Sequence, residues 1–322
     1  MEFRLSSFEI RALVEETAKE IEKAHLDKVQ QIGPELFKFS FSTKSGKKDL
    51  LIEIGKRFNL TGYSLKAPEK PSQFSILLRK YLENKRLESI TQHGFDRVVS
   101  LDFDGYKIIL EFFSHGNIVL IDKDSKIILS FRHEEWKDRK LGKGETYIFP
   151  KGALDPQHLS LPEFKKTFTE KDAVRSLVKN LSFGGDYAEE ICARAGIDKN
   201  KEKLSDGEKE KLYNALKELL NERTEPVMQD DRLFPFTLSR YAVQKQYASM
   251  NTAVDEFYLA KKEESQKLKK LRKRLDEQVA ALARFEREAE ENRRKGDLIY
   301  ANYTSIERML EKKKGKITLE LD

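Results

Sequence analysis

The sequence predicts an α+β fold that ends in a long helical arm. Three observations predict it. Apolar and polar residues alternate with a period of two in a block between residues 37 and 131. Helical apolar stripes take over from about 160 to 222. From Val254 onward, apolar residues recur every seven positions. A chain of 322 residues suits two or three domains. The pattern changes divide it into residues 1–152, a mixed α/β domain; 153–225, a helical domain; 226–253, a connector; and 254–322, the arm.

The elements follow in order. Residues 6–23 read as a helix, with Ser6 and Glu9 forming a capping box and Ile10, Leu13, Val14, Ala18 and Ile21 a stripe. Phe37, Phe39 and Phe41 alternate with polar residues and predict a strand; Leu50 to Ile54 predict a second, closed by Gly55. Pro71-Ser72 opens a helix through about Asn84. A meander follows, with strands at 95–103, 106–113, 116–122 and 126–131. Asp104-Gly105, His115-Gly116 and Lys123-Asp124 supply its turns. A basic loop from Lys137 to Lys143 leads to Pro150 and Pro156, where the first boundary falls. Beyond it, Ala173, Leu177, Val178 and Leu181 precede a Phe183-Gly184-Gly185 turn. A second capping box, Ser205 with Glu208, starts another helix. In the arm, Leu268, Leu275, Leu282 and Ala289 recur every seven residues, with Leu271 and Phe285 between them. The pattern weakens at Arg293 to Gly296. One amphipathic helix cannot bury its own seam, so the arm calls for a second helix or for self-association.

Composition excludes several functions. Cys192 is the single cysteine, so neither an internal disulfide nor a cysteine-built zinc site is available. The five histidines show no metal-ligand spacing, and GxSxG, Walker and GxGxxG motifs are missing. The expectation is a non-enzymatic protein without metal or cofactor. No apolar run reaches the roughly 18 residues of a membrane span, and the start lacks a secretory h-region, so a cytosolic location is expected. The net charge is +6, with most of the excess in the last fifth of the chain. That placement fits either solvated helices or phosphate contact.

Three features carry candidate chemistry. Alternation along 95–103 puts Arg97 on an otherwise apolar face, where a half-buried guanidinium needs acceptors. A salt bridge with Asp96 or another acid satisfies that need, and so does contact with RNA phosphate or base edges. Gly184 and Gly185 resemble a helix-hairpin-helix turn that lets backbone approach a phosphate, although a plain helical hairpin uses glycine for the same reason and Asp186 would repel the phosphate. Basic clusters form at Arg79, Lys80, Lys85 and Arg86, and at Lys267, Lys269, Lys270, Arg272, Lys273 and Arg274. Each fits a nucleic-acid backbone or a solvated face.

As an ordered set, these segments resemble a known family. Leu51 to Arg57, Thr61, Pro71 to Phe74, Leu78 to Leu82, Gly94 to Val99 and Gly116 to Leu120 with Asp122 resemble the NFACT-N domain. Phe183 to Gly185 with Ala193 to Gly196 resembles its helix-hairpin-helix region, and Gly296 to Asn302 the turn after its first coiled-coil helix. The chain is thereby identified as similar to the N-terminal part of the NEMF/RqcH/FbpA (NFACT) ribosome quality-control factors. The NFACT-N domain is itself similar to the N-terminal domain of formamidopyrimidine-DNA glycosylases.

The resemblance implies binding to tRNA and to a large ribosomal subunit blocked by peptidyl-tRNA, through rRNA and ribosomal proteins. It further implies support for mRNA-independent extension of the stalled chain, with peptidyl transfer left to the ribosome. It maps the family's Asp-Arg signature onto Asp96-Arg97, and a family acidic position, usually Asp, onto Glu9. Arg57, Arg79, Lys80 and Arg86 join them as tRNA-facing candidates, Gly184 and Gly185 as backbone contacts, and the Lys267–Arg274 run as the rRNA-facing arm. Family members usually continue with a returning helix and a further domain, so the chain is expected to be a fragment. The alternatives are a glycosylase-like enzyme, disfavoured by Glu2 where the nucleophilic proline would stand; an adhesin, disfavoured by the missing export signal; and a coiled-coil scaffold.

Overall fold

The first helix, α1 (Ser7–Ile21), starts where the capping box predicts. The Ser6 hydroxyl accepts from the Phe8 N–H, and the Glu9 carboxylate accepts from the Ser6 N–H at 2.6 Å. The apolar face of α1, with Phe8, Ile10, Leu13, Val14 and Ile21, is buried. The structure is a computed structural model that describes residues 4–136, 139–150, 154–181 and 183–312, apart from the side chains of 262–266, Lys269 and Lys312. Lys137, at the head of the expected basic loop, and Gly152-Ala153, at the expected domain boundary, lie outside the described residues.

Two antiparallel sheets follow. The first has the order β1 (His25–Gln31), β2 (Leu36–Thr43), β3 (Gly46–Glu53), β4 (Arg57–Thr61). The alternation of Phe37, Phe39 and Phe41 places all three in the core at 0% exposure. After α2 (Gln73–Leu82), capped by Ser72, comes a five-stranded meander: β5 (Leu87–Gln92), β6 (Val98–Phe103), β7 (Tyr106–Glu111), β8 (Asn117–Asp122) and β9 (Ile127–Ser130).

Three of these strands escaped the period-two reading. Bulges between Leu26 and Lys28 and between Leu87 and Ser89 break the alternation in β1 and β5. In β4, Arg57 and Asn59 are buried polar residues where apolar ones would have signalled a strand. The strand expected from Phe95 begins only at Val98, and 95–97 form the turn after β5. The argument that put Arg97 on an apolar strand face is therefore overturned.

The two glycines Gly55 and Gly116 join the sheets. Both have positive φ, +69° and +72°, and a Cβ on Gly116 would lie 2.2 Å from the Gly55 backbone. Only glycine permits two turns to cross this closely.

The helical part comprises α3 (Leu161–Lys166), α4 (Ala173–Leu181), α5 (Gly185–Arg194) and α6 (Asp206–Leu220), the last capped by Ser205 and Glu208. Its core includes Leu177, Tyr187, Ile191, Leu212 and Leu216, and also Phe8 and Phe95 from the first 152 residues. Residues 226–253, expected as a connector, carry a small sheet of order β11 (Arg232–Phe234), β10 (Val227–Gln229), β12 (Val243–Gln246). They also carry the start of α7 (Met250–Ala301), which begins four residues before Val254. The helix runs through Gly296, correcting the expected weakening there; one glycine costs only about 1 kcal/mol. α8 (Tyr303–Lys312) follows.

The chain divides into two units, Met1–Phe257 and Tyr258–Asp322. In the second, Leu268, Leu271, Leu275, Leu282 and Phe285 are all at least half exposed, so the heptad seam is uncovered. No described helix is long and apolar enough to cross a membrane.

Candidate nucleic-acid interface

The turn at 93–97 is held on every side by backbone groups. The His93 N–H donates to the Val98 carbonyl at 2.9 Å and the Asp96 N–H to the His93 carbonyl at 3.1 Å. The Phe112 N–H donates to the Arg97 carbonyl at 2.9 Å. Gln92 Nε2 donates to the carbonyls of Ser7 (3.0 Å) and Asp96 (2.8 Å), tying the turn to the start of α1. Phe95 is buried, edge-on to Phe8 at 4.8 Å and to Phe183 at 5.8 Å.

The carboxylate of Asp96 accepts from the Arg97 backbone N–H at 2.7 Å. The expected alternatives for the guanidinium were an ion pair with Asp96 or another acid, or RNA; the Asp96 carboxylate is oriented by the backbone N–H. Among the described residues the half-buried Arg97 guanidinium has no acceptor of its own. A fixed backbone carrying an unspent bidentate donor suits a phosphate or a base edge.

Two further candidates meet this turn. Gly184 is the N-cap of α5, and a Cβ there would come within 3.9 Å of Ser6 and 3.8 Å of Tyr187. Glu9, 2% exposed, accepts from the hydroxyls of Ser6 and Tyr187 in short contacts. Burial pushes its carboxyl above the ordinary range, against the lowering effect of those hydrogen bonds. Burial, and then the nearby Glu9 charge, likewise hold the Tyr187 phenol well above its usual value. The structure thus gathers Asp96-Arg97, Glu9 and Gly184-Gly185 in one place. Glu9 itself is enclosed and committed to the cap and to Tyr187. Asp186, expected to repel a phosphate, is neutralised by Arg232 at 2.7 Å and accepts from the Tyr241 hydroxyl at 3.0 Å.

The remaining candidates sit elsewhere. Arg57 is 7% exposed and donates to Glu53 at 3.1 Å, so its charge is spent inside the fold. Arg79 Nε donates to the Val29 carbonyl at 2.6 Å. Lys80 is exposed, with its ammonium 5.7 Å from the Tyr81 ring. Arg86 is exposed and lies 3.7 Å from Glu88. Arg86 precedes β5 and Arg97 follows it, so the six residues of that strand separate them by about 20 Å. The α2 cluster and the Arg97 turn are therefore distinct surfaces. Lys267, Lys270, Arg272, Lys273 and Arg274 are exposed on α7 in the second unit, Lys273 lying 3.8 Å from Glu277. The side chain of Lys269 lies outside the described residues.

Residues that the sequence reading passed over also stand at this end of the meander. Arg4 donates to the Ser114 carbonyl at 3.2 Å. Arg132 donates to the carbonyls of His115 (3.0 Å) and Gly116 (2.9 Å) and pairs with Glu35. Both brace the turn beside Arg97. Each is a lone basic residue in sequence, and only the hairpin register brings them together.

Comparison with known proteins follows the same lines. The family model of the NFACT N-terminal and middle domains matches residues 6–317. An archaeal Rqc2 homologue, aRqcH of Methanocaldococcus jannaschii, is 37% identical over 301 residues, covering 83% of this chain and 45% of that protein. The mouse ribosome quality control complex subunit NEMF is 25% identical, with all of this chain and 35% of that protein covered. The chain thus spans less than half the length of these relatives. Among solved structures, the N-terminal part of the fibronectin/fibrinogen-binding protein of Streptococcus suis superposes with a TM-score of 0.68 at 22% identity, covering 80% of this chain and 99% of that one. This last likeness is one of fold.

Proposed function

The chain belongs to the NFACT family, and from that premise we propose that it is the tRNA-binding front part of a cytosolic ribosome quality-control factor. Ribosome quality control supports the reading through two relatives: one is named a ribosome quality control complex subunit and another an Rqc2 homologue. In this reading the protein engages a large ribosomal subunit obstructed by peptidyl-tRNA and helps to bring in the tRNA for mRNA-independent extension of the stalled chain. It performs no chemistry itself, because peptidyl transfer belongs to the ribosome. The basic run Lys267 to Arg274 lies along rRNA, and the uncovered seam of α7 pairs with a second helix as a coiled coil.

The observation that carries the proposal is the Arg97 guanidinium. It is half-buried on a turn fixed by three backbone–backbone hydrogen bonds and by one from Gln92 Nε2 to the Asp96 carbonyl, without an acceptor among the described residues. The guanidinium is intermediate in exposure, so a bound phosphate or base edge would replace water with charge-assisted hydrogen bonds, which are the stronger kind.

The test is a gel-shift titration of a tRNA transcript at fixed salt, then at several salt concentrations. Arg97→Ala should weaken binding about tenfold or more, as loss of a charge-assisted hydrogen bond does. If the contact is to phosphate, the salt slope should fall by about one. The thermal melt should not change, since no described protein group is hydrogen-bonded to the guanidinium. Unaltered affinity would remove Arg97 from the interface.

A further inference from the structure

An aromatic surface beside the Arg97 turn is used by nothing described so far. The His93 ring stacks on Phe149, with centroids 3.8 Å apart and planes 10° from parallel. His93 is exposed, so a ring covered on one face by Phe149 offers its other face to solvent. Phe149 stands edge-on to Tyr147 at 5.1 Å.

The support beneath is stiff. The Tyr147 hydroxyl donates to Glu111 at 2.7 Å, and Arg139 donates to the same carboxylate at 2.6 and 3.1 Å. That ion pair is almost wholly buried, and the Arg139 guanidinium lies 4.4 Å from the centroid of the Trp136 ring. The Arg139 charge is fully spent, so this face presents rings rather than cations. Gly94, next to His93, has φ +54°, and among the described residues a Cβ there would meet only Asp155 Oδ2, at 3.9 Å. Asp155 is itself occupied by the His158 ring at 3.0 Å and the Gln157 N–H at 2.9 Å.

An exposed, pre-stacked ring four residues from an unspent guanidinium matches the two halves of an unpaired nucleotide: a flat base and an anionic phosphate. We propose that His93, backed by Phe149, is a stacking platform for an unpaired nucleobase of the RNA that Arg97 engages. The platform continues the His93–Phe149 stack by one more ring. This inference rests on the tRNA-binding reading. It adds the class of nucleotide, single-stranded rather than paired, because only an unpaired base can expose its face to a ring.

The experiment uses the full chain and a tRNA transcript, with His93→Ala, His93→Phe and Arg97→Ala measured side by side over a range of salt. A stacked base lost by alanine substitution corresponds to about a fivefold or greater weakening. His93→Ala should show that loss with an unchanged salt slope, and His93→Phe should restore binding, because a phenyl ring stacks without hydrogen-bonding. Single-stranded oligoadenylate should compete with the tRNA for the wild-type protein better than a duplex of equal length does.

Wild-type affinity in His93→Ala would overturn the platform, and so would failure of His93→Phe to rescue. Loss in His93→Ala beside normal binding by Arg97→Ala would uphold the platform and remove Arg97 from the proposed interface. A wild-type chain that binds no tRNA would end both readings.

Discussion

At the scale of single residues, the acidic position in α1 illustrates how a side chain can be claimed twice. Glu9 fits the capping-box position as well as a family acidic site. The structure encloses it between the Ser6 and Tyr187 hydroxyls and raises its pKa through burial. The sign of the pH effect follows. The unfolded side chain loses its proton near 4.5, whereas the folded one holds it to higher pH, so the native state binds more protons above 4.5. Stability should therefore fall as pH rises through that window, by up to about 1.4 kcal/mol per pH unit from this group. Glu9→Gln cannot titrate. In paired thermal melts from pH 4.5 to 7, the wild-type melting temperature should decline relative to that of Glu9→Gln. Parallel curves would show that Glu9 ionises alike in both states. Arg97 was legible as an unusual arginine, but for the wrong reason: its charge stands in a turn, and the proposed role follows from the missing acceptor.

At the scale of elements, strands were readable only where alternation was unbroken. β2, β3 and β6 to β9 announced themselves, while the bulged β1 and β5 did not. β4 hid because its buried Asn59 donates to Leu60 and Asp255, satisfactions no local pattern displays. Glycines show the same division. Gly105 and Gly116 both end hairpin strands with positive φ, and in sequence both are turn glycines. Gly105→Ala meets nothing within 4 Å and should cost only the left-handed backbone penalty, about 1 kcal/mol. Gly116→Ala drives a methyl into the Gly55 backbone and should cost about 3 kcal/mol or more. Denaturant melts of the two variants would reveal the difference, and equal losses would mean that the crossing of the two turns can relax.

At the scale of the whole molecule, the root of α7 is built into the first unit. Glu16 accepts from the N–H groups of Met250 (2.7 Å) and Asn251 (2.9 Å), acting as a cap supplied by another helix. Asn251 Oδ1 accepts from the Leu60 N–H at 2.7 Å, and Asp255 accepts from Thr61 and Gly62, each at 2.9 Å. The same α1 that carries Glu9 near its start thus fixes the first turn of α7, within the first unit, near its end. Glu16→Ala should speed amide exchange at Met250 and Asn251 about tenfold or more, in proportion to a lost cap of about 1–2 kcal/mol, with β2 and β3 unaffected. Unchanged exchange at those two amides would show that the turn is held by Asn251 and Asp255 alone.

By itself the sequence determined the α+β class, the helix starts at Ser6, Ser72 and Ser205, the heptad seam and the family resemblance. Each of these is written in residues a few positions apart, whose spacing fixes which face or cap they form. Tertiary structure alone decided that the 93–97 turn, the start of α1 and the Gly184 turn converge, that Arg57 is spent on Glu53, and that His93 is laid against Phe149. Those outcomes depend on pairings between residues tens to hundreds of positions apart, set by sheet register and core packing, which no local pattern records.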